Sequence, residues 1–185
     1  MTSHLLCAIM LRQCRLMGLA EVPIQLCASR TLSQAFEPGG RDRLAEAIEA
    51  REVIERAIAR LAALRRTEAD LERLRTSLDG MQQCRDEPEA FLEFDLALHV
   101  ALSGAARNHL LAGTLATLHE LVREMITLFM RAATENRMDA LVESHTRLVD
   151  AVERQDADEA ARIIADMMAL LRIEAGLSQE LAIGD

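Results

Sequence analysis

Hydrophobic residues recur at the three- and four-residue spacing of an amphipathic helix from Arg41 almost to the end of the chain. The first segment with this spacing runs from about Arg43 to Leu64. Its apolar positions are Leu44, Ile48, Ile54, Ile58, Leu61 and Leu64. The charged residues between them predict a mainly solvated helix face, which would include Arg51, Glu52, Glu55 and Arg56.

Five further helices are indicated by capping residues and by breaks in the apolar pattern. The expected starts are Thr67 as an N-cap, Asp86-Glu87-Pro88, Asn108, about Met138, and Asp156 with Glu159. The expected ends are about Met81, Ser103 before Gly104, Ala133, Arg154 and Gly176. No segment alternates apolar and polar residues as a half-buried strand does. The pattern therefore predicts an all-α fold, an antiparallel bundle of about six helices.

The first 40 residues differ from the rest because they show no sustained period and end in the breaker cluster Glu37-Pro38-Gly39-Gly40. The predicted organisation is an irregular N-terminal segment at 1–40, a helical domain at 41–176 and a tail at 177–185. Residues 5–20 are moderately apolar, but arginines interrupt them and the run is too short to cross a membrane. No membrane association is expected.

Composition narrows the possible functions. Half of the 185 residues are hydrophobic, but Trp and Tyr are absent and Phe occurs four times, so the core must be aliphatic. The net charge of −9 argues against a stand-alone nucleic-acid binder, which usually presents a basic face. The four cysteines form no CxxC pair, so neither a disulfide framework nor a zinc ribbon is indicated, and a cytoplasmic location is expected.

The third predicted helix carries the first candidate site residues. Asp95 and His99 are four residues apart and so share a helix face among apolar neighbours, where leaving them unpaired would be costly. They could pair with each other or bind a metal ion. His145 borders the apolar stripe of the fifth helix and could join them, although a satisfied core histidine is the alternative. The spacing of His119 permits an inward orientation, but a surface histidine is expected there.

Motifs occur in a fixed order along the chain. Their residues are Glu49, Arg51 and Glu55 before the Ala-rich run to Leu71; Asp95 and His99 (D-x-x-x-H); Ala105 and Asn108 (A-x-x-N); and the segment from His145 to Asp156. That segment follows H-x-x-(I/L)-x-x-A-(I/L)-x-x-G-D, with Gln155 in place of the glycine. Over about residues 41–175 the chain resembles the FadR C-terminal domain (FCD) of GntR-family transcription regulators.

The resemblance implies a ligand set. In metal-binding members, Asp95, His99 and His145 would be joined by a histidine of the sixth helix, expected at about Met167, yet that helix has no histidine. Three ligands can hold Zn²⁺ or another divalent transition metal with an open position, but more weakly than four. Arg51 resembles a family arginine that points into the pocket, where it would pair with a ligand carboxylate. The alternative for Arg51 is a surface salt bridge with Glu55.

The function implied by the resemblance is an effector-binding and dimerisation domain that senses a small organic acid or similar metabolite, with or without a divalent metal. The chain is expected to form a homodimer and is not expected to be an enzyme. Full regulators carry a winged helix-turn-helix of roughly 60–70 residues before this domain. Only 40 residues precede it here, so this chain alone is not expected to bind DNA, although Ser29-Arg30-Thr31 echoes the start of a recognition helix.

Two alternatives remain open. A metal-dependent helical-bundle enzyme could use Asp95, His99 and His145 to hold a metal-bound water, but no separate general base is evident. A ligand-independent interaction domain could instead pair with a full-length regulator and block its DNA binding.

Overall fold

The computed structural model describes the backbone of residues 40–131 and 135–177, and the side chains of residues 44–120, 123 and 137–177. The described chain is helical, without strands, which confirms the predicted all-α class. Its helices are α1 (Gly40–Arg65), α2 (Glu68–Gln83), α3 (Pro88–Ala105), α4 (His109–Arg131), α5 (Glu135–Glu153) and α6 (Ala157–Glu174). Apart from Gly40, the predicted N-terminal segment lies outside the described residues, as does the tail beyond Leu177.

Short-range capping interactions explain where the helices begin. Thr67 and Asp70 form a reciprocal capping box, in which each side chain accepts a hydrogen bond from the other residue's backbone N–H. Asp156 accepts from the backbone N–H of Glu159 at 3.0 Å and so caps α6. Asn108 accepts from the backbone N–H of Leu111 at 3.2 Å. Three of the expected capping residues, Thr67, Asn108 and Asp156, therefore make capping contacts, whereas Glu87 before α3 makes no side-chain cap.

In the described connections between helices, two residues other than glycine have a left-handed backbone. Gly104 was expected to end the third helix, but it lies inside α3, and Arg107 two residues after the helix end has a φ of 52°. Gln155 has a φ of 59° in the turn before α6. Left-handed backbone costs least at glycine, which explains why the family motif has glycine at the Gln155 position.

Helix α1 is central to the bundle, because it packs against α3, α4, α5 and α6. Its buried face includes Ile48, Arg51, Glu55, Ile58 and Ala62, which follow one another at helical spacing. The prediction of a solvated charged face is therefore wrong for Arg51 and Glu55.

The assignment of Leu64 to the apolar stripe is also wrong, because this side chain is 60% exposed. Over this part of α1 the buried face is formed by the small residues Ala59, Ala62 and Ala63, which are fully buried. Leu64 lies outside that face. In the part of the chain that the structure describes, no helix is both long and apolar enough to cross a membrane.

Candidate metal and effector site

Polar and ionisable side chains from four helices meet inside the bundle, and each is at most 6% exposed. They are Arg51 and Glu55 of α1, Asp95 and His99 of α3, His119 of α4 and His145 of α5. Burial of so many ionisable groups is costly unless they pair with one another or with a ligand. The contacts among them therefore indicate what the site can bind.

The hydrogen bonding of His145 determines which of its ring nitrogens faces Asp95. Nδ1 of His145 lies 2.7 Å from the carbonyl oxygen of Leu141, and since a carbonyl only accepts, Nδ1 is the donor. Nε2 lies 2.9 Å from Oδ1 of Asp95 but has no hydrogen-bond partner of acceptable geometry among the described residues. In the neutral ring the lone pair is then on Nε2, and a metal ion bound there could also be bound by the Asp95 carboxylate.

Glu55 is the centre of a second set of contacts. Nε of Arg51 donates to Oε1 of Glu55 at 2.7 Å, and Nε2 of His119 lies 3.4 Å from the same oxygen. Nδ1 of His99 lies 2.9 Å from Oε2 of Glu55. Burial raises the pKa of Glu55, but the charges of Arg51 and His99 and the close contacts with His119 and His99 hold it well below its usual range. Glu55 is therefore ionised at neutral pH.

The neighbouring groups also have shifted pKa values. Burial raises the pKa of Asp95, but the contact with His145 and the charge of His99 lower it to about 2. Burial lowers the pKa of His99, but Glu55 and Asp95 raise it above its usual value. Burial lowers the pKa of His119 to about 4, because the adjacent Glu55 only partly offsets it. The site thus holds two carboxylates, one guanidinium and a neutral His119.

Among the residues with described side chains, two groups of three could hold a metal ion, since their ligand atoms lie within 4.8 Å of one another. We call Asp95, His99 and His145 the Asp95 group, and Glu55, His99 and His119 the Glu55 group. Both share His99, and each offers two imidazole nitrogens and one carboxylate oxygen. This donor set suits Zn²⁺ and neighbouring transition metals. The unpaired Nε2 of His145 makes the Asp95 group a fitting place for the metal that the family resemblance implies.

The structure brings together the four residues singled out from the sequence, Arg51, Asp95, His99 and His145. Arg51 does form the i, i+4 salt bridge with Glu55, but inside the bundle rather than on the surface. Met167, at the position expected for a fourth ligand, lies on α6 and is half-buried against the hydrophobic core of the bundle. Helix α6 contains no histidine.

The sequence pattern does not identify two members of the site. His119 is buried, so the expectation of a surface histidine is wrong. The charged pattern predicts a solvated position for Glu55, although it lies seven residues after the buried Ile48 and three before the buried Ile58. That position on the α1 stripe was the signal that could have identified it.

The fold and the buried cluster define an all-α domain with a cluster of ionisable side chains in its interior. The model of the FCD domain matches residues 46–170, and the chain belongs to this family. Together with the two regulators described below, this match supports an effector-binding regulatory domain of the GntR type, and none of them supports the enzyme alternative.

Two curated relatives are transcription regulators. The HTH-type transcriptional regulator LutR of Bacillus subtilis (strain 168) is 34% identical over 137 residues, which are 71% of this chain and 60% of LutR. The Galactonate operon transcriptional repressor of Escherichia coli (strain K12) is 33% identical over 123 residues, 65% of this chain and 52% of the repressor. The match thus spans only half to three fifths of these relatives.

A solved structure of E. coli McbR/YncC has the same fold. It superposes with a TM-score of 0.67 and 17% sequence identity, over 74% of this chain and 66% of that one.

Proposed function

We propose that this domain binds a small organic acid and that Arg51 pairs with the acid's carboxylate. The supporting observation is that Arg51 is 3% exposed and held through Nε by Glu55, while its buried Nη1 has no hydrogen-bond partner among the described residues. An unsatisfied buried donor costs about 1–3 kcal/mol. A carboxylate oxygen would remove this cost, and the guanidinium fork favours such a planar anion.

We further propose that Asp95, His99 and His145 hold a divalent transition metal, with Zn²⁺ as the first candidate. The unpaired 2.9 Å contact between His145 and Asp95 supports this, together with the low pKa that keeps Asp95 ionised. Three protein ligands leave a coordination position open, and a metal bound there would supply a Lewis acid for an effector oxygen. Arg51 would then orient the effector, and the apolar core around the site would exclude water.

Regulation would follow from a shift in population between two packings of the bundle. An acid that bound one packing more tightly would favour it, by no more than the difference in its two affinities. We propose that the chain acts as a cytoplasmic homodimer, and that DNA recognition is not a function of the acidic helical domain itself. Size-exclusion chromatography with light scattering, with and without effector, measures the molar mass and so tests the homodimer. The mass of a monomer under both conditions would contradict the proposal.

Thermal unfolding and calorimetric titration test the proposed effector class. The panel should contain acetate, lactate, citrate and galactonate, the last suggested by the name of the E. coli relative, each with Zn²⁺, Ni²⁺ or a chelator. We expect at least one acid to stabilise the fold, by about 2.7 kcal/mol at a hundred times its Kd, and its amide to be inactive. If no acid raises Tm under any metal condition, the proposal fails.

Arg51→Lys is the matching variant, because it keeps the charge but removes the planar fork. Binding of the active acid should weaken by at least tenfold, or about 1.4 kcal/mol. The exposed Arg56 of the same helix provides the control Arg56→Lys, which should bind like the wild type.

A further inference from the structure

The Glu55 group joins a different set of helices from the Asp95 group. Its residues come from α1, α3 and α4, whereas those of the Asp95 group come from α3 and α5. We infer that Glu55, His99 and His119 form a second divalent-metal site, which shares His99 with the Asp95 group. This site would be an alternative position for the metal inside the same bundle.

The contact between His99 and Glu55 supports a shared ion. Nδ1 of His99 and Oε2 of Glu55 lie 2.9 Å apart, both atoms are buried, and neither has a hydrogen-bond partner of acceptable geometry in the described part of the chain. Two ligand atoms at about 2.0–2.2 Å from one tetrahedral Zn²⁺ lie about 3.3–3.6 Å apart. The two atoms would therefore have to separate by about 0.5 Å to bind the same ion. The contact between His145 and Asp95 has the same length and the same unpaired nitrogen.

His119 supplies the third ligand of this site. Its Nε2 lies 3.4 Å from Oε1 of Glu55, and its ring centre lies 5.3 Å from that of His99. Arg51 already donates to Oε1 of Glu55, which leaves Oε2 for an ion. The positive charge of Arg51 also repels a nearby cation, so the Glu55 group is the weaker of the two sites.

The shared histidine makes the two sites alternatives. A neutral imidazole has a lone pair on only one ring nitrogen, so His99 serves one group at a time. The wild-type chain therefore holds one ion in the bundle. An ion in the Asp95 group ties α3 to α5, and an ion in the Glu55 group ties α3 to α1 and α4. The position of the ion thereby determines which helices are held together.

Zn²⁺ titration of the full chain tests the inference with four proteins: wild type, His119→Ala, His145→Ala and the double variant. His145→Ala should still bind one ion, at least tenfold more weakly than the wild type. Adding His119→Ala should weaken that residual binding by at least another tenfold. The double variant also measures the background from the remaining histidines and cysteines. The exposed His109 provides the control His109→Ala, which should bind like the wild type.

Nitrogen NMR of labelled histidines is a second measurement, needed if the double variant does not fold. In folded His145→Ala, Zn²⁺ should shift the ring-nitrogen resonances of His119. The inference is overturned if those resonances do not move, or if His145→Ala binds no more tightly than the double variant. Failure of the Asp95 group gives a different result: His145→Ala would then bind like the wild type, while His119→Ala alone would lose affinity.

Discussion

Nε2 of His145 lies 2.9 Å from Oδ1 of Asp95, in a contact that is almost wholly removed from solvent. Because Nδ1 of the same ring donates to the Leu141 carbonyl, the neutral ring has its lone pair on Nε2, where it can bind a metal ion shared with the carboxylate. The backbone of α5 thus orients the imidazole, as backbone carbonyls commonly do for metal-binding histidines.

Asp95→Asn tests whether the negative charge of this side chain, rather than its size, is needed for metal binding. The amide keeps the size of the side chain but is a much poorer metal ligand, so Zn²⁺ affinity should fall at least tenfold, or about 1.4 kcal/mol. Calorimetric titration measures the change. Asp150 is exposed on α5, and Asp150→Asn should leave the affinity unchanged. Equal affinities of Asp95→Asn and the wild type would contradict a role for Asp95 as a ligand.

The pairs Arg51–Glu55 and Arg56–Glu52 on α1 allow a matched test of burial. Both are i, i+4 salt bridges, but the first is buried and the Arg56 side chain is 49% exposed. Arg51→Met leaves an ionised Glu55 inside the bundle without its guanidinium, which should lower the free energy of unfolding by about 3–5 kcal/mol. Arg56→Met should cost less than about 1 kcal/mol. Urea denaturation of both variants measures the difference, and similar losses would show that burial does not distinguish the pairs.

Much of the fold could be predicted because its signals are local. The Thr67–Asp70 capping box and the Asp156 cap depend on residues three apart, and the apolar spacing marks each helix. Asp95 and His99 could be paired for the same reason, since four residues bring two side chains to one helix face.

The rest of the site depends on tertiary packing. Charged residues four apart usually form exposed pairs, so the sequence predicts a solvated face for Arg51 and Glu55. They are buried because α1 lies at the centre of the bundle. His119 reaches Glu55 from another helix, 64 residues away along the chain. The spacing within α4 alone cannot show that contact.

Asp70 should make stability depend on acid pH. Burial raises its pKa, but hydrogen bonds from Thr67 and Arg73 and the charge of Arg107 lower it from 3.8 to about 2. A carboxyl whose folded pKa is depressed stabilises the fold above its unfolded pKa, and this contribution is lost as the pH falls from about 4 to about 2. Since both arginines are largely exposed, we expect a contribution of about 1–2 kcal/mol.

Asp70→Asn tests this contribution by urea denaturation at several pH values. The variant should be less stable than the wild type at pH 6, and the two stabilities should converge towards pH 2. Asp79→Asn, at an exposed position of the same helix, should show no such convergence. A stability difference between Asp70→Asn and the wild type that is independent of pH would contradict a stabilising role of the ionised Asp70 carboxylate.

Gly80 allows α2 to pack closely against α3. A Cβ added at this glycine would lie 2.2 Å from Cδ1 of Phe94, so the aromatic ring or one of the helices would have to move. Replacing glycine by alanine in a helix normally gains about 1 kcal/mol, whereas overpacking a core typically costs about 1–3 kcal/mol. Because the contact is with a ring and its backbone is fixed in α3, we expect Gly80→Ala to be destabilising overall.

Gly113 of α4 is the matched control, because a Cβ there meets nothing within 4 Å. Gly113→Ala should therefore show the helix-propensity gain alone and raise the free energy of unfolding by up to about 1 kcal/mol. The two substitutions are chemically identical. Changes of opposite sign in the free energy of unfolding, measured by urea denaturation, would therefore isolate the contact with Phe94. Adding Phe94→Leu to Gly80→Ala should recover part of the loss, since the smaller side chain can move away. If Gly80→Ala stabilises the protein as Gly113→Ala does, the α2–α3 contact is not as close as described.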